Sequence, residues 1–308
     1  MSSSNVNHAY ARVVRFIMYR ARGEEPNAAA RVGALLPKRL NVVFDAGVDL
    51  AGVLERYHAS GDTNSYVETS LTMEDVDVLA PFDATSSSKI LAVGKNYREH
   101  VGEVDATLPG ISREDVPSWP IIFTKASSAV IANGDEIDVH GREDVDYEGE
   151  LACVIGRRAK NVDESIGEDA IVRAYVAGWT VANDVTARDL QKQHQQWFLG
   201  KSCDTFCPCG PWIACAVDGT PPSGETTLAT YVNGEERQRV KISQMIFSVA
   251  TLIATISKYQ TLNPGDVILT GTPKGVGAGQ KPRATYLKSG DVVDIEIDGI
   301  GRLSNRVK

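Results

Sequence analysis

The sequence lacks any apolar run close to the ~18 residues that a membrane-spanning helix requires, so it offers no candidate for one. A secretory leader is not expected either. The first apolar run, Val13-Val14-Arg15-Phe16-Ile17-Met18, is short and broken by Arg15. Acidic residues are absent before Glu24, whereas Arg12, Arg15, Arg20 and Arg22 precede it. That bias admits a mitochondrial import peptide. A basic first strand is the preferred reading, because the pattern runs on smoothly as folded chain, and the expected location is cytoplasmic. A basic excess is also absent: 32 Lys and Arg face 40 Asp and Glu, for a net charge of -8. Nucleic acid and anionic membranes both need a basic face, so neither is an expected partner. Histidine is scarce, with five residues and no cluster, and the five cysteines match no zinc spacing although four crowd into 203–215. A zinc hydrolase is therefore a poor reading, and the cysteines are read as reduced thiols.

What is present is the composition of an ordinary globular protein, long enough for one large domain with a smaller one. Residues 1–85 read as a small N-terminal α+β module. Strands are expected at Arg12–Tyr19, Arg31–Leu36, Asn41–Phe44 and Val76–Ala80. A helix is expected at Val48–His58, where Leu50, Val53, Leu54 and Tyr57 share one face. Thr85-Ser86-Ser87-Ser88 is the expected joint. Residues 86–308 read as the main domain, opening with a strand at Lys89–Val93 and continuing mostly as β. Three strands follow Asn133-Gly134-Asp135, Pro264-Gly265-Asp266 and Ser289-Gly290-Asp291. Helices are expected at Ile166–Val176, Ser243–Tyr259 and Thr186–Trp197. Regular βα alternation is missing, so the class is α+β, mostly β, rather than a doubly wound parallel sheet. Residues 104–119 lose all periodicity, and a lid is expected over about 95–119.

The chemistry centres on Asp146-Tyr147-Glu148-Gly149-Glu150, followed by the apolar run Leu151–Ile155. Residues two apart in a strand share a face, so Glu148 and Glu150 point the same way. Asp184 follows a second apolar run, Gly178–Ala182. Three carboxylates without a nearby His or Cys suit a magnesium- or manganese-type ion, with calcium also acceptable to such oxygens. The competing reading makes the two glutamates an exposed pair and Asp184 a helix cap. His100 and Glu103, at i and i+3, meet on a helical turn, and a carboxylate beside an imidazole orients it as a base. Arg188 and Gln191 follow Asp184 at helical spacing. Lys201 and Thr272 sit in short polar or Gly-rich stretches, and the latter lacks phosphate-loop spacing.

Taken together, Gly94-Lys95-Asn96-Tyr97, His100/Glu103, Asp146–Glu150, Ala182–Asp189, Lys201-Ser202, Asp204–Pro208 and Pro264–Pro273 resemble the fumarylacetoacetate hydrolase family over about residues 75–308. The resemblance implies a mixed β-roll with a distorted barrel-like core, usually as a homodimer. It implies a divalent ion on Glu148, Glu150 and Asp184, and substrate contacts from Arg188, Gln191, Lys201 and Thr272. It further implies a His100–Glu103 dyad on a closing lid. The expected activity is cleavage of a C–C bond in a 2-oxo acid through a metal-bound pyruvate enolate. Acylpyruvate hydrolysis comes first, with His100 and Glu103 activating water and Lys201 stabilising the oxyanion. Oxaloacetate decarboxylation and isomerisation of an unsaturated 2-hydroxy diacid share that intermediate. A metal-dependent binding protein without turnover is the non-enzyme alternative.

Overall fold

A computed structural model describes residues 13–26, 28–37, 39–47, 49–82, 88–103, 116–216 and 219–308. The middle of the expected lid, 104–115, and most of the expected joint at 85–88 lie outside the described residues.

The N-terminal part forms β1 (Val13–Ala21), β2 (Arg31–Leu36), β3 (Arg39–Gly47), helix α1 (Leu50–Ser60), β4 (Val67–Thr72) and β5 (Val76–Leu79). There follow β6 (Ile90–Gly94), α2 (Arg98–Val101), β7 (Ile121–Thr124), β8 (Val130–Ile131), β9 (Glu136–Ile137), β10 (Val145–Asp146) and β11 (Gly149–Ile155). Next come α3 (Glu168–Tyr175), β12 (Val176–Asn183), β13 (Thr186–Ala187), α4 (Arg188–Gln193), α5 (Phe198–Lys201) and β14 (Cys207–Ala216). The chain ends with β15 (Thr227–Val232), β16 (Glu235–Lys241), α6 (Val249–Tyr259), β17 (Val267–Leu269), β18 (Val292–Ile297) and β19 (Gly301–Val307).

The large sheet runs β4-β3-β2-β1-β14-β12-β11-β17-β6-β7, with β5 on β1 and β8 on β14. A second sheet, β16-β15-β18-β19-β9, packs against β11, β12 and β14. The architecture is mostly β and mixed, as expected. Both sheets stay open, however, and no closed barrel forms among the described residues. β1 is hydrogen-bonded to β14 from Val13↔Ala216 to Phe16↔Ile213, so a division near residue 85 crosses a continuous sheet.

The central strands explain themselves. β11 and β12 are buried along their whole length and are read by apolar runs on both faces. They pair antiparallel from Gly149↔Asn183 to Ile155↔Val176. Helix α1 is capped by Asp49, whose carboxylate accepts from Ala51 N at 3.1 Å.

Two expected helices begin later than their periodicity suggests. α6 starts at Val249 and not Ser243, because Asn96 takes the preceding amides: Ile246 N donates to Asn96 O and Phe247 N to Asn96 Oδ1, each at 2.8 Å. Ser248 then caps the helix. The expected helix from Thr186 begins at Arg188, because Thr186 and Ala187 pair with Asp146 and Val145 as a short ladder. The helix expected at Ile166–Val176 is divided at Gly167, with a 3-10 turn before it.

Gly149 lets the two sheets approach closely beside the paired glutamates. A Cβ there would stand 2.1 Å from Thr230 Oγ1 of β15. Gly149→Ala is expected to destabilise the fold by about 1–3 kcal/mol through overpacking, read as a lower urea midpoint. An unchanged midpoint would mean that the sheets separate freely there.

Candidate active site

The β11–β12 ladder assembles the acidic cluster. Glu148 and Glu150 flank Gly149, and Asp184 continues β12 opposite Glu148, where Asp184 N donates to Glu148 O at 2.9 Å. Each of Glu148, Glu150 and Asp184 offers an oxygen within 4.8 Å of the others. All three are buried, Asp184 completely. The readings that put the glutamates in solvent and made Asp184 a helix cap are thereby displaced.

Lysines and an arginine partly neutralise the cluster. Lys201 Nζ bridges Glu148 Oε2 at 2.7 Å and Asp184 Oδ2 at 2.6 Å. Arg188 pairs with Glu148 Oε1 at 2.7 Å and with Asp146 Oδ2 at 2.6 Å. Its Nη1 donates to Gln191 Oε1 at 3.0 Å, so the helical spacing of Arg188 and Gln191 does bring them together. Lys125 Nζ, completely buried, reaches Asp184 Oδ1 at 2.5 Å and Val185 O at 3.3 Å.

Four buried carboxylates, counting Asp146, therefore face three cations. Glu150 is the one without an ion pair among the described residues; its Oε2 accepts from Gly271 N at 2.6 Å. Burial pushes its carboxyl well up, and the charges of Asp184 and Glu148 push it further. Burial alone would also raise Glu148, but Lys201 and Arg188 outweigh it and hold that group down at about 2. An uncompensated anion in a low-dielectric interior is costly. A hard divalent cation would supply the missing charge, and an all-carboxylate donor set suits one. Glu148, Glu150 and Asp184 thus fit the group that the sequence implied.

The imidazole expected beside them is present. His100 on α2 and Glu103 just beyond it are joined between Nδ1 and Oε2 at 3.2 Å. Glu103 is fixed in turn by Gly275 N, which reaches its two oxygens at 2.9 and 3.0 Å. Gly275 has φ +106, and a Cβ there would sit 1.9 Å from Arg237 O, so no other residue allows that approach.

His100, Glu148, Arg188, Gln191, Lys201 and Thr272 line one cavity of about 30 Å³. Thr272 joins the others there with its hydroxyl already engaged. Its O–H donates to Gly149 O at 3.1 Å and its oxygen accepts from Gln238 Nε2 at 2.8 Å. A substrate carboxylate could receive that proton only if the bond to Gly149 switched.

Sequence reasoning missed Lys125 and the function of Asp146. Lys125 follows β7 as a lone charge after an apolar strand, Ile121-Ile122-Phe123, which is the cue that was available. Asp146 lay inside the singled-out stretch. It anchors Arg188 and also accepts from Gly277 N at 2.6 Å and Ala278 N at 2.9 Å.

Residues 89–308 match the family model described as fumarylacetoacetate (FAA) hydrolase, C-terminal. The chain belongs to the fumarylacetoacetate hydrolase family. Oxaloacetate tautomerase YisK of Bacillus subtilis is 43% identical over 238 residues, covering 77% of this chain and 74% of that protein. The mitochondrial oxaloacetate tautomerase fahd2 of Xenopus laevis is 40% identical, covering 88% of this chain and 79% of the relative. Among solved structures, the fumarylacetoacetate hydrolase of Exiguobacterium antarcticum superposes with a TM-score of 0.74 at 36% identity, over 96% of this chain and 99% of that one. A 2-hydroxyhepta-2,4-diene-1,7-dioate isomerase from Mycobacterium marinum follows the same fold, with a TM-score of 0.70 at 30% identity over 96% and 98% of the two chains.

Two outcomes are expected of the charge imbalance in this family member. Glu150→Gln removes a carboxyl whose charged form the metal-free site disfavours, so the metal-free variant unfolds at a higher temperature than the metal-free parent, while its affinity for Mn2+ falls at least about tenfold. Calorimetric titration and thermal unfolding in chelator read the two effects. Asp146→Ala strips Arg188 of an acceptor and is expected to cost about 3–5 kcal/mol in denaturant unfolding.

Proposed function

We propose that the chain is a magnesium- or manganese-dependent enzyme acting on oxaloacetate by proton transfer at C3, interconverting its enol and keto forms. The observation that carries this reading is the oriented His100 imidazole beside a buried, cation-ready carboxylate triad. The names of the two relatives support tautomerisation ahead of the acylpyruvate hydrolysis expected from the sequence.

Glu148, Glu150 and Asp184 would hold the cation, which would supply the Lewis acidity that draws electron density from C2 of a 2-oxo acid and so acidifies C3. The chain's own residues do the rest. Glu103 engages Nδ1 of His100 and leaves Nε2 to take the proton from C3 or return it. Lys201 spends two of its three N–H groups on Glu148 and Asp184. The third is left for a substrate oxygen that gains charge as the proton leaves. Arg188 and Gln191, locked to each other, orient the C1 carboxylate. Tautomerisation needs no second reactant, whereas hydrolysis asks His100 to activate a water for attack at C4.

The test follows enol-oxaloacetate conversion, carbon dioxide release from oxaloacetate and pyruvate release from acetylpyruvate, each with Mg2+, with Mn2+ and in chelator. Tautomerisation should dominate and should vanish without metal. His100→Gln should slow it by about 100-fold; an unchanged rate would remove the dyad from the chemistry. Dominant pyruvate release from acetylpyruvate would replace tautomerisation by hydrolysis. No turnover of any substrate would leave a metal-dependent binding protein.

A further inference from the structure

The cavity is lined by one further cation, Lys95, that the chemistry above does not use. Arg188 is committed to Asp146 and Glu148, Lys201 to Glu148 and Asp184, and His100 to Glu103. Lys95 forms no hydrogen bond or ion pair among the described residues. Burial is the one influence on its amine, and it lowers the pKa. The residue is only 8% exposed. A lysine is seldom covered to this degree without a protein partner for its ammonium.

The backbone here is also unusual. Lys95 has φ +55, a left-handed conformation that non-glycine residues seldom adopt. It connects β6 to α2, and the next residue fixes it. Asn96 Nδ2 donates to Thr270 O at 2.7 Å and to Phe247 O at 3.1 Å. Asn96 Oδ1 accepts from Phe247 N at 2.8 Å. The surroundings thus hold a strained lysine, without an anionic partner, at the wall of the catalytic cavity. Residues held in such conformations cluster at active sites and ligand clamps.

We infer that Lys95 is a specificity-determining residue that pairs with the distal carboxylate of a 2-oxo diacid, an inference that rests on the function proposed above. One end of such a substrate is taken by the cation-binding triad with Arg188 and Gln191. An acylpyruvate monoacid presents an uncharged acyl group at its other end and leaves Lys95 unpaired. A diacid presents a second carboxylate and restores the neutrality that Lys95 lacks. Lys95 therefore favours the diacid both by attraction and by the penalty left behind with a monoacid.

The test uses two five-carbon ligands that differ at the distal end, 2-oxoglutarate and 2-oxovalerate, titrated calorimetrically into full-length, magnesium-loaded protein. The unaltered protein is expected to prefer the diacid by about tenfold or more. Lys95→Asn suits left-handed backbone, and Lys95→Met is a second uncharged variant; in both the preference should shrink to about twofold or less. Lys95→Arg should retain most of it. In turnover of oxaloacetate, Lys95→Asn should raise KM while kcat changes little, which a merely structural role would not do. An equal preference in the parent and both uncharged variants, or none in the parent, overturns the inference. A preference that depends on Lys95, without turnover of oxaloacetate, upholds diacid recognition and overturns the proposed reaction instead.

Discussion

The constraint on which everything else depends is the crowding of negative charge on the β11–β12 ladder. Two adjacent strands, buried on both faces, place Glu148, Glu150 and Asp184 close enough to share one ion. Such a cluster is tolerated only if cations arrive from elsewhere in the chain. Lys125 comes from the end of β7, Arg188 from α4 and Lys201 from α5. Packing and electrostatics are therefore one problem here. The elements that carry the cations are held in place by the charge that they neutralise, and the remaining deficit at Glu150 is one that a metal ion could fill.

A second layer of fixed contacts keeps this arrangement from relaxing. Asp146 holds Arg188 from behind while accepting two amides from the stretch at Gly277 and Ala278. Asn183 Oδ1 accepts from Glu148 N, and Gln238 Oε1 from Gly149 N. The oxygens are thus presented by a backbone whose own hydrogen bonds are satisfied. That is the preorganisation that electrostatic catalysis requires.

Much of the site was legible in the sequence because its signals are local. Alternation in a strand places Glu148 and Glu150 together, and i, i+3 spacing unites His100 with Glu103 and Arg188 with Gln191. Long-range partners left no such trace. Lys125 lies 59 residues before the carboxylate that it pairs with, and nothing in its neighbourhood names Asp184. The same blindness moved the start of α6, because the amides of Ile246 and Phe247 are taken by Asn96, about 150 residues earlier by ordinary chain counting. It also turned the first residues of an expected helix into a short strand beside Asp146. That the sheets stay open was not legible for a related reason: closure depends on which edges meet, and alternation within a strand does not encode that.

The ladder between β1 and β14 has a consequence for any attempt to isolate the part of the chain that carries the chemistry. Cutting away the first 85 residues would uncover Ile213, Ala214, Cys215 and Ala216 as a bare, apolar margin with unpaired amides and carbonyls. Margins of that kind recruit foreign strands. The amino-terminal stretch is then a built-in guard against self-association, whatever else it does, and a shortened enzyme would be limited by its solubility before its chemistry.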